Sequence, residues 1–299
     1  MLDLCLPALQ RAIAAAGGNH TILVVDDESS DGTTEYLAQA YPAVEVLPLK
    51  WSGFARACNS GVMQAKTEIV ILLNNDMVVE ENFIGPLLEA IEAPEVFAAS
   101  AKFLDEEGRL ENVLGNRTSA VWRQGLMEIY HETNPEKLNR RVPQLYAQGG
   151  GMVCRRRDFI DLGGFDTLYE PFYWEDVDLS YRAWKRGWRI LYEPNAVCRH
   201  FQGRTTARDY SAHYLRLTSM RNCFLFHWKN LTERDIFARH LALIPARAAG
   251  DILLNGQGVD YAAVIAALGK LREVAAKRIL ERSFAVLTDS EVLRRANGE

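Results

Sequence analysis

A chain of 299 residues with 48% hydrophobic content and a net charge of -5 is long enough to bury a large core, and is expected to hold one α/β domain plus something smaller. The acidic balance offers no general attraction to nucleic acid, and no nucleic-acid partner is expected; Arg155-Arg156-Arg157 reads as a solvated helix start rather than a phosphate site. The five cysteines are scattered without metal spacing, which points to reduced thiols and a cytoplasmic location, and neither a signal peptide nor a membrane-length apolar run is visible.

The chain opens in a helix with Leu2, Leu6, Leu9 and Ile13 on one face and Pro7 tolerable only in a first turn. Thr21 to Val25 reads as a buried strand that runs into the acidic loop Asp26-Asp27-Glu28-Ser29-Ser30-Asp31-Gly32-Thr33, and Thr34 to Ala40 as the helix after it. The unit recurs: strand Val44 to Leu47, helix Gly53 to Ala65, strand Ile69 to Leu73. That last run is apolar and mostly β-branched, as in a strand buried on both faces, and it ends in Asn74, Asn75 and Asp76. These three sit at the carboxyl end of a strand, where open α/β sheets bind ligands. The plainer reading makes Asp76 the cap of a helix from about Glu80 to Glu92.

Val96 to Phe103 returns as a strand, so strands and helices alternate as in a mostly parallel sheet. Residues 105 to 144 dissolve into turns and charges and are expected to form an excursion beside a substrate pocket. Gly149, Gly150 and Gly151 weaken a strand-like run, usually because a ligand or another backbone approaches closely. Arg156 to Leu162 reads as a helix, and a second one, carrying Val177, Tyr181 and Trp184 inward, follows Glu175-Asp176. Trp188 to Tyr192 and Ala196 to Cys198 read as two strands around a Glu193-Pro194-Asn195 turn, with His200 just past the second. From about Thr205 the pattern is helical. There Tyr214, Leu217, Phe224 and Trp228 with Arg216, Arg221 and Lys229 could dock on the main domain or lie on an anionic membrane surface.

Asp26/Asp27 with Asp31, Asn74-Asn75-Asp76, Glu175-Asp176 and His200 are the candidate chemistry. Sugar transfer from a nucleotide diphosphate uses such groups: a divalent cation on the pyrophosphate and a carboxylate to take the acceptor hydroxyl's proton. At these residues the sequence resembles the family 2 glycosyltransferases of the GT-A fold, in the branch with bacterial rhamnosyltransferases, over about residues 1 to 230. Val25 to Thr33 is similar to the family's nucleotide-binding loop, Gly53-Phe54-Ala55 through Asn59-Ser60-Gly61 to its helix motif, Leu73 to Asp76 to its DxD-type metal motif, and Trp174 to Leu179 with Arg182 to the segment carrying the base.

The resemblance implies a GT-A (Rossmann-like), mostly parallel sheet flanked by helices over residues 1–204 and a helical C-terminal region over 205–299. It implies an inverting, metal-dependent glycosyltransferase with Mg²⁺ or Mn²⁺, a UDP- or dTDP-linked sugar donor and a glycan or lipid-linked acceptor of cell-surface polysaccharide synthesis, in contact with the inner face of the cell membrane through its C-terminal helices. Asp176, with Glu175 as alternative, would be the base; Asp26, Asp27, Asp31, Asn59, Asn74 and Asn75 would bind the nucleotide sugar; Gly150, Gly151 and Trp174 would face the acceptor; Asp76 and His200 would hold the metal. Two departures stand out: Asn74 replaces the first Asp of the metal motif, and the family's opening strand has no counterpart. That strand is central in the sheet, so its neighbours would be left unpaired unless a segment from residues 105 to 144 or a partner chain fills the gap, and the natural start is expected about 10 to 20 residues upstream of Met1. The rival readings are a non-catalytic nucleotide-sugar-binding or scaffold protein and a sugar-phosphate nucleotidyltransferase, although the Gly-rich basic loop that the latter needs is not visible.

Overall fold

The computed structural model describes residues 1–110, 116–201, 210–255 and 258–299. Helix α1 (Leu2–Ala16) leads to strand β1 (Leu23–Asp27), helix α2 (Thr33–Ala40), β2 (Glu45–Leu49), α3 (Phe54–Gln64) and β3 (Ile69–Leu73). Pro7 lies in the second turn of α1, beyond the first turn that suits it, so the helix lacks the N–H that would reach Asp3 there. β4 (Met77–Val79) follows β3 directly, and α4 (Ile84–Ala90) and β5 (Val96–Leu104) come next. The six-stranded sheet runs β3, β9 (Gly151–Arg155), β5, β10 (Arg189–His200), β4, with the short β8 (Val142–Pro143) also on β10.

β5 and β10 pair in parallel, while β9 runs antiparallel to both β3 and β5, and β4 antiparallel to β10. The sheet is thus mixed where a mostly parallel one was expected. β3, β5 and β10 still share one direction; β9 opposes them because the chain reaches it from the excursion rather than through the helical crossover that parallel neighbours require. β10 is a single strand where two were expected. Its register slips between Glu193 and Val197, so Pro194, which has no N–H to offer the ladder, sits in a bulge rather than a turn.

β1 and β2 form a separate parallel pair. Among the described residues no strand joins β1 to β3. Instead α1 spans both pieces: Leu6 packs with Leu37 and Val44 beneath β1–β2, while Ala8 and Ala12 pack with Met77, Phe83 and Val153 under the larger sheet.

The excursion holds a hairpin, β6 (Thr118–Arg123) and β7 (Leu126–His131). It docks on α7 (Ala212–Asn230), where the Met127 amide donates to His227 Nε2 at 2.8 Å, so that Nδ1 carries the proton donated to Cys223 O. Of the two readings offered for this helix, docking on the main domain describes its second half. Phe224 and Trp228 are buried in the apolar cluster that also holds Ala98, Tyr181 and Trp184, and Lys229 is buried as well, because the helix meets the main sheet domain on its apolar side. The expected helix start at Thr205 and the 204/205 boundary lie outside the described residues. Helices α8 (Arg234–Asn255), α9 (Val259–Leu268), α10 (Leu271–Phe284) and α11 (Asp289–Asn297) complete the chain, and among the described residues no helix is long and apolar enough to cross a membrane.

Candidate active site

The expected metal residues meet through strand register. Pairing His200 opposite Met77 in β10–β4 brings His200 Nε2 to 3.4 Å from Asp76 Oδ2, across 124 residues of chain. Phe201 N–H donates to Asp76 O at 2.9 Å and closes the turn. Asp76 Oδ1 is buried with no hydrogen-bond partner. Asp76 is therefore not a helix cap: the chain continues into β4, and α4 starts only at Ile84. A carboxylate with an unpartnered buried oxygen beside an imidazole fits Mn²⁺ or Mg²⁺, ions that take one or two protein ligands and complete their shell with phosphate and water. Among the described residues no cluster of three or more ligating side chains exists that would make an all-protein cage.

The other half is the start of α6 (Glu175–Lys185), the helix after α5 (Arg156–Asp161). Tyr173 and Trp174, at φ 72° and 80°, turn the backbone through the left-handed region, and Glu175 and Asp176 open the helix behind them. Asp176 accepts from Gly149 N–H at 3.3 Å and Val177 N–H at 2.8 Å. Burial pushes its carboxyl up to about 6 against these bonds. Glu175 is buried and its Oε2 lacks a partner; burial and then the Asp176 charge push it up to about 8. Both carboxyls are thus disfavoured as anions by burial, Glu175 the more so because it also faces the Asp176 charge.

A carboxyl held protonated by the fold contributes stability that is complete below its unfolded value of 4.5 and lost as pH rises through about 8. Glu175→Gln cannot ionise. Its melting temperature should match the wild type near pH 4.5 and exceed it by about 3 °C or more at pH 9, as differential scanning calorimetry at several pH values would read.

The two halves meet at the glycines. Gly149 N–H serves Asp176, and Gly150 O accepts from Asn74 N–H at 3.1 Å. A Cβ on Gly150 would lie 2.7 Å from Asn74 Nδ2, and one on Gly151 would lie 2.6 Å from the Phe103 ring. Close approach is thus the reason for both glycines, but the approaching groups are Asn74 and Phe103 of this chain, which places Gly151 in the core rather than on an acceptor surface. Trp174 is likewise turned inward, its ring 5.1 Å from Phe226; the exposed aromatic of that loop is Tyr173.

In the acidic loop, Asp26 is buried and accepts from Ser29 N–H at 2.9 Å and Thr34 Oγ1 at 2.6 Å; burial opposes its charge, but these bonds hold its carboxyl below the usual range. Asp27 accepts from Ser52 and Gly53 N–H groups, both at 2.8 Å, and Asp31 from Thr33 Oγ1 at 2.6 Å. The three carboxylates build the loop. Asn59 is a brace in this structure: Nδ2 donates to Phe165 O at 2.8 Å and Oδ1 accepts from Phe165 N–H at 2.9 Å. Asn75 is exposed, and its main-chain oxygen accepts from Cys5 Sγ.

The family model described as "Glycosyl transferase family 2" matches residues 3–164. The chain belongs to glycosyl transferase family 2. This glycosyltransferase is 29% identical over 218 residues to an N-acetylglucosaminyl-diphospho-decaprenol L-rhamnosyltransferase of Mycobacterium tuberculosis, covering 64% of this chain and 70% of the relative. Its fold is GT-A. It overlays a structure of GalNAc-T7 with UDP, GalNAc and Mn²⁺ at TM-score 0.57 and 19% identity, covering 87% of this chain and about half of that one (51%). It also overlays Staphylococcus aureus TarS in complex with UDP-GlcNAc at TM-score 0.55 and 16% identity, covering 98% and 85%. Family membership sets aside the nucleotidyltransferase and scaffold readings.

Sequence reasoning missed the charged core behind the base loop. Asp178, fully buried, accepts from Tyr169 Oη, Arg182 Nε, Lys229 Nζ and Asn230 Nδ2, all at 2.7 or 2.8 Å. Lys229 also reaches Asp166 at 2.6 Å. The spacing of Asp178 and Arg182, one helical turn apart, was the only local signal; Lys229 lies 51 residues away.

Proposed function

We propose that this glycosyltransferase is inverting and divalent-cation dependent, and moves a sugar from a UDP- or dTDP-linked donor to a glycan or lipid-linked acceptor at the inner face of the membrane. The observation that carries this reading is the meeting of the Asp76–His200 pair and the Glu175–Asp176 pair across Gly149–Gly150. The rhamnosyltransferase relative, whose name gives a decaprenol-linked substrate, supports the lipid-linked acceptor, and the neighbours solved with UDP or UDP-GlcNAc, one of them with Mn²⁺, support the donor class and the cation.

Asp76 and His200 would hold Mn²⁺ or Mg²⁺, which when bound offsets the charge gathering on the departing diphosphate. Asp176, as its carboxylate, takes the proton of the acceptor hydroxyl as that hydroxyl's oxygen bonds to the sugar's anomeric carbon. The bond from that carbon to the diphosphate oxygen breaks from the opposite face, and its electron pair leaves with the nucleotide. Burial and the neighbouring Asp176 charge disfavour a second anion on Glu175. The acidic loop and the exposed Asn75 are the proposed nucleotide contacts.

A thermal-shift screen of nucleotide sugars with Mn²⁺ identifies the donor, because a ligand of the native state raises the melting temperature by mass action. In Asp76→Asn, calorimetric affinity for UDP or dTDP should lose its dependence on Mn²⁺ and transfer should cease, with melting unchanged in the absence of metal. Unaltered Mn²⁺-dependent affinity would remove the cation from Asp76.

A further inference from the structure

The loop that presents the base pair is held from outside the matched family segment, by two adjacent residues of α7. Asn222 is fully buried, and its Nδ2 donates to Tyr169 O at 2.6 Å and to Phe172 O and Tyr173 O, both at 2.9 Å. Its Oδ1 accepts from Arg221 Nε at 3.0 Å and Nη2 at 2.8 Å, and the same Nη2 donates to Glu170 O. Four backbone carbonyls of residues 169–173 thus converge on one side-chain pair. The next turn of α7 supplies Phe226 and His227, against which the Trp174 ring packs.

This convergence answers a physical problem. Tyr173 and Trp174 are bulky residues in succession at φ 72° and 80°, a region disfavoured for side chains with a Cβ and kept only where the surroundings over-determine it. Released, the pair would relax toward negative φ and carry the first turn of α6 with it. Asp176 would then leave Gly149 N–H, its link to the Asp76 half of the site. A carboxamide suits the task because one end donates to carbonyls while the other accepts from the guanidinium that braces it. Aspartate at this place would set a carboxylate against three carbonyl oxygens.

We infer that Asn222, braced by Arg221, is a positioning residue that holds the left-handed Tyr173–Trp174 turn and thereby aims Asp176 at the acceptor. The inference rests on the reading of Asp176 as the base.

The test compares Asn222→Ala and Asn222→Asp with the wild type. Hydrogen exchange of residues 170–176 should accelerate while that of β3 and β5 does not. Calorimetric affinity for UDP or dTDP with Mn²⁺ should stay within about twofold. Turnover of dTDP-L-rhamnose or UDP-GlcNAc with a synthetic N-acetylglucosaminyl-diphospholipid acceptor should fall about 100-fold, the size expected when a reacting group is misplaced by about 1 Å. Adding Tyr173→Gly, which relieves the left-handed residue, should return about tenfold of the lost turnover. Unchanged exchange at 170–176 overturns the inference, as does a loss of turnover that travels with nucleotide affinity and melting temperature. If the wild type turns over no nucleotide sugar, the glycosyl-transfer reading fails, and the exchange arm still decides whether Asn222 holds the turn.

Discussion

Asp176→Asn should lower turnover by about 10²- to 10⁴-fold, the usual contribution of a general base, with Mn²⁺-dependent nucleotide affinity nearly unchanged. The carboxamide preserves the shape and can keep its oxygen on Gly149 N–H; it gives up the bond that the other carboxylate oxygen accepts from Val177 N–H together with the capacity to take a proton, so melting temperature is read alongside turnover. In the wild type the same assignment sets a pH dependence. Burial raises the Asp176 carboxyl above the usual carboxylate range, so the rate should rise with pH over a range above that of a free aspartate and level off once the carboxylate is formed. Glu175→Gln should keep most of the activity at neutral pH, because the Glu175 anion is already disfavoured there. Steady-state kinetics between pH 5 and pH 8.5, run on both variants, checks both statements. If Glu175→Gln is inactive and Asp176→Asn is not, the base is Glu175.

Lys229→Met should cost about 3 to 5 kcal/mol of unfolding free energy, because it strips a buried ion pair of one partner while the other stays charged. Lys229 is 1% exposed and lies between Asp166 and Asp178, with Lys277 on the far oxygen of Asp166 at 2.8 Å. The ammonium ties α7 to the base helix α6 and to the loop that precedes it. Urea unfolding monitored by circular dichroism would give the loss; a change under about 1 kcal/mol would mean that Arg182, Tyr169 and Asn230 suffice to hold Asp178. Burial alone would raise the Asp166 carboxyl, but Lys229 and Lys277 hold it well below the usual carboxylate range. A lowered carboxylate contributes stability present above its unfolded value of 3.8 and lost as pH falls through its folded value. The wild type should therefore lose stability in acid more steeply than Lys229→Met.

Where a signal was local in the chain, the sequence alone carried it. Ile69–Leu73 was readable as a strand because five consecutive apolar residues have few other uses, and the left-handed glycines Gly163, Gly164 and Gly187 marked chain turns that lie next to them. The pairing of Asp76 with His200 was anticipated from the order and spacing of the family's motifs, and the structure brings the two together; that they share one chemistry with Glu175-Asp176 is the proposal. What each polar side chain does was not, because its partner is chosen by strand register and helix packing. Asn59 braces Phe165 from 106 residues away, and Gly150 and Gly151 make room for Asn74 and Phe103. β9 runs antiparallel because nothing in five residues encodes strand direction, which depends on the path of the intervening chain. The base loop shows the limit most clearly. Nothing local marks Tyr173 and Trp174 for the left-handed region, and Trp174 was expected to face the acceptor; only α7, arriving about 50 residues later, supplies the hydrogen bonds and apolar contacts that hold a left-handed turn there.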